Sequence, residues 1–212
     1  MLKCLCLLIC LAGTHAAAGA WPRQEGTGFA SVATRLTFDD TFMTLTSYSS
    51  AYLEYGLNGR HTLGLDAGYS NDGTSRAIAF VRQPLTTTKA GGPIAAELGL
   101  GVIDTQIVLR PGISWGRGLD KGWMAADALA EIRMTGATDL KLDLTLGLKD
   151  DRGRMLILQL QTGKPFGQAA TAQLAPSVVI PFGKSRHLEI GASTDLLERR
   201  NYGIKFGLWQ DF

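Results

Sequence analysis

The sequence predicts an all-β chain that closes into an antiparallel up-and-down transmembrane β-barrel of about twelve strands. Three observations predict it. Residues 139–149 read DLKLDLTLGLK, with a leucine at every even position from Leu140 to Leu148 and Lys141, Asp143, Thr145 and Gly147 between them. Strand side chains alternate between two faces, so this segment has one apolar and one polar face. The same alternation recurs along the chain between turn signals, at roughly 16 residues per strand and connection, enough for the roughly 9–11 residues of a membrane strand. Finally, no run of eighteen apolar residues follows the first twenty, so no transmembrane helix is available.

The opening MLKCLCLLICLAGTHAAAGA has one early positive charge, Lys3, then an apolar stretch and a small-residue end at Ala18-Gly19-Ala20. It reads as a secretory signal peptide over 1–20, leaving a single barrel domain over 21–212. All three cysteines (Cys4, Cys6 and Cys10) lie in the leader, so the exported domain must be held together without disulfides. Removing Lys3 from the 21 basic residues leaves 20 against 19 acidic ones. A near-neutral domain points away from nucleic acid and from a polybasic membrane patch.

The strands follow in order. Ala51, Leu53, Tyr55 and Leu57 alternate with Tyr52, Glu54 and Gly56, and Asn58-Gly59 is a two-residue hairpin signal. The return strand sets Leu63, Leu65, Ala67 and Tyr69 opposite Thr62, Gly64, Asp66 and Gly68. Residues 77–81 are apolar on both faces, and 96–102 alternate again. The segment WMAADALAEI (123–132) carries a helical as well as a strand pattern; the period of two around it favours a strand. Leu156, Leu158 and Leu160, then Leu188, Ile190 and Ala192, then Tyr202, Ile204, Phe206 and Leu208 complete the series. Turn signals stand at 70–73, 91–93, Gly116-Arg117-Gly118, 150–153 and 183–185. Pro111 and Pro176 fall inside expected strands, where they cannot donate to a ladder, so a count of about ten is the alternative.

Which face is inside decides the compartment. The polar face carries Glu54, Asp66, Glu97, Arg110, Asp127 and Glu131 in its first half, with Arg35 before them. It continues through Arg133, Lys141, Asp143, His187, Glu189 and Lys205, and these residues are the expected lumen lining. Glycines recur among them, which weakens a water-facing strand but suits a narrow curved lumen. Tyr69, Trp115, Trp123, Phe182 and Tyr202 lie near strand ends, where a bilayer interface would sit. The leucines are therefore expected to face lipid.

Tyr202, Ile204, Phe206, Leu208 and Phe212 share one parity at the chain's end. This resembles the terminal signal of bacterial outer-membrane β-barrels, which the barrel-insertion machinery reads; Gln210 departs from the usual apolar choice. The opening WPRQEGTGF (21–29) is similar to the start of uncharacterised bacterial envelope proteins, a family with no activity to carry over. The resemblance implies a cell outer-membrane location, membrane lipid and the insertion machinery as partners, and both termini on the periplasmic side.

Catalytic outer-membrane barrels place a His-x-Ser pair on one strand face, base beside nucleophile. Here His61 is followed two residues on by Leu63, and His187 by Glu189, so no catalytic residue is assigned. Asp39-Asp40 and Asp150-Asp151 lack metal-ligand spacing and read as solvated turns, and no metal or cofactor is expected. Glu198-Arg199-Arg200 reads as a solvated charge run. The mixed lumen charges imply a porin-like small channel for small solutes or a structural barrel closed by pairing. The alternatives are a lipid-modifying barrel enzyme depending on His187 and a soluble periplasmic barrel around an apolar ligand.

Overall fold

The computed structural model describes residues 19–88, 91–197 and 201–212. Met1–Ala18 of the expected leader and the Glu198-Arg199-Arg200 run lie outside the described residues. Twelve strands follow in chain order: β1 (Gly28–Asp39), β2 (Thr44–Asn58), β3 (His61–Ser70), β4 (Ser75–Thr87), β5 (Pro93–Ile103) and β6 (Gln106–Leu119). The second six are β7 (Gly122–Arg133), β8 (Thr138–Lys149), β9 (Met155–Lys164), β10 (Thr171–Phe182), β11 (Arg186–Asp195) and β12 (Asn201–Asp211). Each strand pairs antiparallel with its chain neighbours and β12 pairs back on β1, so the sheet closes with no edge. The segment 123–132 is strand, as its surroundings favour. Both chain-terminal strand ends lie at one rim, the terminal rim, together with the connections after the even-numbered strands; the opposite rim is called distal.

The leucines of β8 point outward, 54% exposed at Leu140 and 45% at Leu148, while Lys141, Asp143 and Thr145 turn inward. The same parity runs around the barrel, with Leu98, Leu100, Ile113, Leu158, Ile190 and Phe206 all exposed on the outside. An exterior this apolar is a lipid-facing surface. Tyr69, Tyr202 and Phe182 stand exposed on it near the rims.

Trp123 departs from that belt. It faces the lumen and packs against Met155, Ile157 and Val179. The reason is its cross-strand partner: Trp123 pairs with Gly147, and a Cβ there would stand 2.3 Å from the indole ring. Other lumen glycines also seat a large neighbour. Gly64 pairs with Phe80, whose ring fills the place of the missing side chain, and Gly116 lies under Trp21. Gly116-Arg117-Gly118, expected to turn, is therefore the end of β6, and the turn is Asp120-Lys121. The β2–β3 tip likewise shifts by one residue. Asn58 pairs with His61 across a local register shift, and its Oδ1 accepts the Arg60 and His61 amides at 3.0 and 2.8 Å, leaving Gly59-Arg60 as the turn.

Both prolines are accommodated at the expense of one ladder each. Pro111 pairs with Leu98 on β5, while pairing with β7 is interrupted at Arg110 and Pro111. Pro176 pairs with Leu158 on β9, while pairing with β11 is interrupted at Ala175 and Pro176. Each missing N–H falls on the broken side, so twelve strands survive. Apolar residues on both faces of 77–81 also have a physical account: Ala77, Ala79 and Val81 meet lipid, whereas Ile78 packs inside on Ile103 and Val108.

Candidate functional site

The barrel interior is built as two unlike walls. On β2–β8 the inward charges form one alternating series. Arg23 Nε donates to Glu54 at 2.7 Å, Glu54 also accepts from Arg82, and Arg82 bonds to Glu97 at 2.8 Å. Arg110 bridges Glu97 at 2.9 Å and Asp66 at 2.5 Å. Arg76 joins Asp66 at 3.0 Å to Glu131 at 2.7 Å, and Lys141 closes the series on Glu131 at 2.9 Å. Glu54, Glu131 and Arg110 are only 1–2% exposed. Desolvated charges of this kind are tolerable because each has an opposite neighbour and most are held from two sides. Tyr52 donates to Glu54 at 2.6 Å, and the Arg82 and Arg110 guanidinium groups lie over the Phe80 ring.

The chain before β1 turns into the lumen against this wall. The Arg23 amide donates to Thr62 Oγ1 at 3.0 Å, Glu25 bridges Gly56, and the Trp21 ring lies on Gly116. Ala20 is fully buried. Gly19–Trp21 and Arg23 thus occupy the terminal half of the lumen on the charged side, while Gln24 and Glu25 stay exposed at the rim.

The wall of β8–β12 and β1 sets uncharged polar groups between its charges and borders both lumen cavities. Gln161 and Gln173 accept from Arg35 at 3.2 and 2.5 Å, and Gln159 donates to Thr145 at 3.3 Å. Glu189 accepts from Lys205 at 2.9 Å and from the Trp209 indole at 3.1 Å. A cavity of about 710 Å³ opens at the distal rim between the two walls, bordered by Asp66, Arg76 and Glu131 on one side and Arg35, Gln161 and Gln173 on the other. A second, of about 260 Å³, occupies the terminal half between Phe29, Asp127, Thr145, Gln159 and Trp209, with Gly19 at its side. Ala33, Ser50 and Lys205 line both, so these three residues stand between the two spaces. No residue of β3–β6 lines the inner cavity.

The structure distributes the twelve expected lumen residues unevenly. Glu54, Asp66, Glu97, Arg110, Glu131 and Lys141 belong to the alternating series. Arg133 pairs with Asp139 at 2.8 Å near the distal rim, and Glu189 with Lys205. Asp127 and Asp143 face each other directly across β7 and β8, and neither is in an ion pair among the described residues. His187 lies beside Trp209, ring centroids 6.4 Å apart, and no described hydrogen bond joins it to a serine. At the chain's end, Tyr202, Ile204, Phe206, Leu208 and Phe212 are all exposed on the outside. The Phe212 amide and carbonyl bond to Gly28, extending the closing ladder. Gln210 joins the last hairpin, donating to Ser185 Oγ at 2.8 Å and accepting from Arg186 at 2.9 Å. Asp39 and Asp150 each cap a turn: Asp39 accepts the Thr41 and Phe42 amides, and Asp150 those of Arg152 and Arg154.

Arg76 and Arg82 are central to the series, and sequence reasoning did not select them. They flank the doubly apolar 77–81 run, which masked their parity. The signal that finds them is the count of inward acids on β2, β3 and β5, which exceeds the bases on the same strands.

No family model matches the chain, and no curated protein is similar to it in sequence. Solved structures share its fold. A KdgM porin superposes with a TM-score of 0.67 at 9% identity, covering 86% of this chain and 99% of that one. A KdgM porin in complex with disordered oligogalacturonate gives 0.65 at 10% identity, with 86% and 99% covered. The COG4313 outer membrane channel from Pseudomonas putida F1 gives 0.62 at 12% identity, covering 92% and 99%. With a closed twelve-strand barrel and an apolar exterior, the chain has the fold of a porin-like outer-membrane β-barrel.

Proposed function

We propose that the chain is exported by its N-terminal leader to the outer membrane and there serves as a narrow channel for small polar solutes. The observation that carries the reading is the pair of lumen cavities, one at the distal rim and one in the terminal half, that share Ala33, Ser50 and Lys205 in their linings. Glutamine, serine and threonine side chains along this path exchange hydrogen bonds with a passing solute and leave room for water, the condition for passage without tight binding. Charges of both signs line the two cavities, Arg35, Lys141 and Lys205 among the bases and Asp66, Asp143 and Glu189 among the acids. The path therefore favours neutral or zwitterionic solutes and selects strongly for neither sign of ion. The apolar outer face supports residence in lipid, and the exposed alternating end of β12 supports recognition by the insertion machinery.

The test is conductance of the purified barrel in a planar bilayer, after a gel-mobility shift on boiling has established that it is folded. Small, weakly ion-selective steps are expected. A folded barrel that never conducts would leave a structural role instead.

A further inference from the structure

We infer that the mature chain begins at Gly19 and that its α-ammonium group is seated inside the lumen on Asp127. The inference rests on the exported-channel reading above, since it requires removal of the leader. Two frames of small residues compete for cleavage, Ala18-Gly19-Ala20 and Ala16-Ala17-Ala18, and both satisfy the small-x-small rule. The packing separates them. Ala20 is 0% exposed, and a Cβ on Gly116 would stand 3.0 Å from the Ala20 Cβ and 2.4 Å from the Trp21 ring. Gly19 is fitted closer still: a Cβ on it would lie 2.3 Å from Asp127 Oδ1 and 2.8 Å from Ser114 Oγ. Cutting after Ala20 would discard both residues and empty the places that β6 and β7 provide for them.

Charge points the same way. Asp127 and Asp143 are directly opposed on neighbouring strands, and like charges in that position repel. Ser114 hydrogen-bonds to the Asp127 carboxylate, and no side-chain cation is ion-paired to it among the described residues, although every acid of the alternating series has one. Hydrolysis of the Ala18–Gly19 amide by a leader peptidase, with water supplying the new carboxylate oxygen, leaves Ala18 a carboxylate and Gly19 a free amine that protonates. That ammonium is the missing counter-charge. It also anchors residues 19–25 against the lumen wall and fixes how much of the inner cavity remains.

The test begins with N-terminal sequencing of the barrel taken from outer membranes, a readout independent of whether the barrel conducts. Gly-Ala-Trp-Pro is expected; Trp-Pro-Arg-Gln would overturn the inference. Acylation of the terminal amine by a small water-soluble reagent then tests the seat. The folded protein should react about tenfold more slowly than the urea-unfolded chain, the factor that accompanies a pairing worth one pKa unit. Asp127→Asn should abolish that protection. Gly19→Ala, which alters no strand, should do the same by pushing its Cβ into Asp127. Equal rates in folded and unfolded wild type, or protection that survives both substitutions, would contradict the seat.

Discussion

The two walls of the lumen are made from the same kind of strand and behave differently. On β2–β8, acids and bases alternate around the circumference; Glu54, Arg82, Glu97 and Arg110 line neither cavity, whereas Asp66, Arg76, Glu131 and Lys141 border the distal one. On β8–β12 and β1 the inward charges are interrupted by glutamine, threonine, serine and glycine, with Arg35 held by the neutral Gln161 and Gln173, and both cavities lie against this wall. A polar lumen is therefore not by itself an open one. Alternation of sign fills the terminal half of the charged wall, while its distal members still border open space.

The largest effect that would break this comparison comes from Arg82. It holds Glu54 and Glu97 together in a desolvated setting, so Arg82→Ala removes one of two cations from each carboxylate, leaving Arg23 on Glu54 and Arg110 on Glu97. The loss of two charge-assisted bonds at roughly 1.5–3 kcal/mol each should cost about 3–5 kcal/mol. Urea unfolding in detergent should show the loss, with Arg82→Lys recovering only part of it because one ammonium cannot replace the forked guanidinium. A stability unchanged by Arg82→Ala would mean that the charged wall is solvated.

Next comes the seat of Phe80. A Cβ on Gly64 would stand 2.0 Å from the ring, so Gly64→Ala forces Phe80 off its position and destabilises by about 1–3 kcal/mol. Pairing Gly64→Ala with Phe80→Leu should restore part of the loss, and a double-mutant cycle reads the coupling. Additive losses would indicate that the glycine serves the backbone and not the ring.

On the open wall the same kind of change should move stability little and conductance clearly. Gln161→Ala is expected to shift unfolding by no more than about 0.5 kcal/mol while raising single-channel conductance. Gln161→Glu should favour cations, read as a shifted reversal potential in a salt gradient. A loss of folding in either variant would put this wall on the same footing as the other.

The smallest effect concerns the β8–β9 turn. The Arg154 side chain, which donates to Asp150 at 2.7 Å, holds that carboxyl below its ordinary range. The folded value is depressed, so the turn's contribution is present above the ordinary carboxylate range and is lost as pH falls through the depressed value. The Arg152 and Arg154 amide resonances should titrate below that range, with the barrel itself intact.

Much of this fold was legible because the exterior obeys one rule. A period of two, interrupted by turn residues, locates strands whether or not their partners are known, and lipid demands the same outward residues everywhere. The interior obeys no such rule. Trp123 and Gly116 were misread because a lumen glycine takes its meaning from the strand beside it, and the position of that strand depends on register. Arg76 and Arg82 hid beside an apolar run whose inward half, Ile78 and Phe80, fills the lumen, while Ala77, Ala79 and Val81 meet lipid. Residues 19–25 carry no periodic signal at all. Their course inside the barrel follows from contacts with Thr62, Gly56 and Gly116 that are far away in sequence.

Thiol accessibility tests the division of the lumen most directly, since every cysteine of the sequence lies within its first ten residues and an engineered one reports alone. Gln161→Cys on the open wall and Thr62→Cys behind the charged wall would each be exposed to a small charged thiol reagent in the folded, membrane-inserted barrel. Rapid modification at 161 with a fall in conductance, and slow modification at 62, is the predicted result. Equal rates at the two positions would contradict the account, because both walls would then be lined by water.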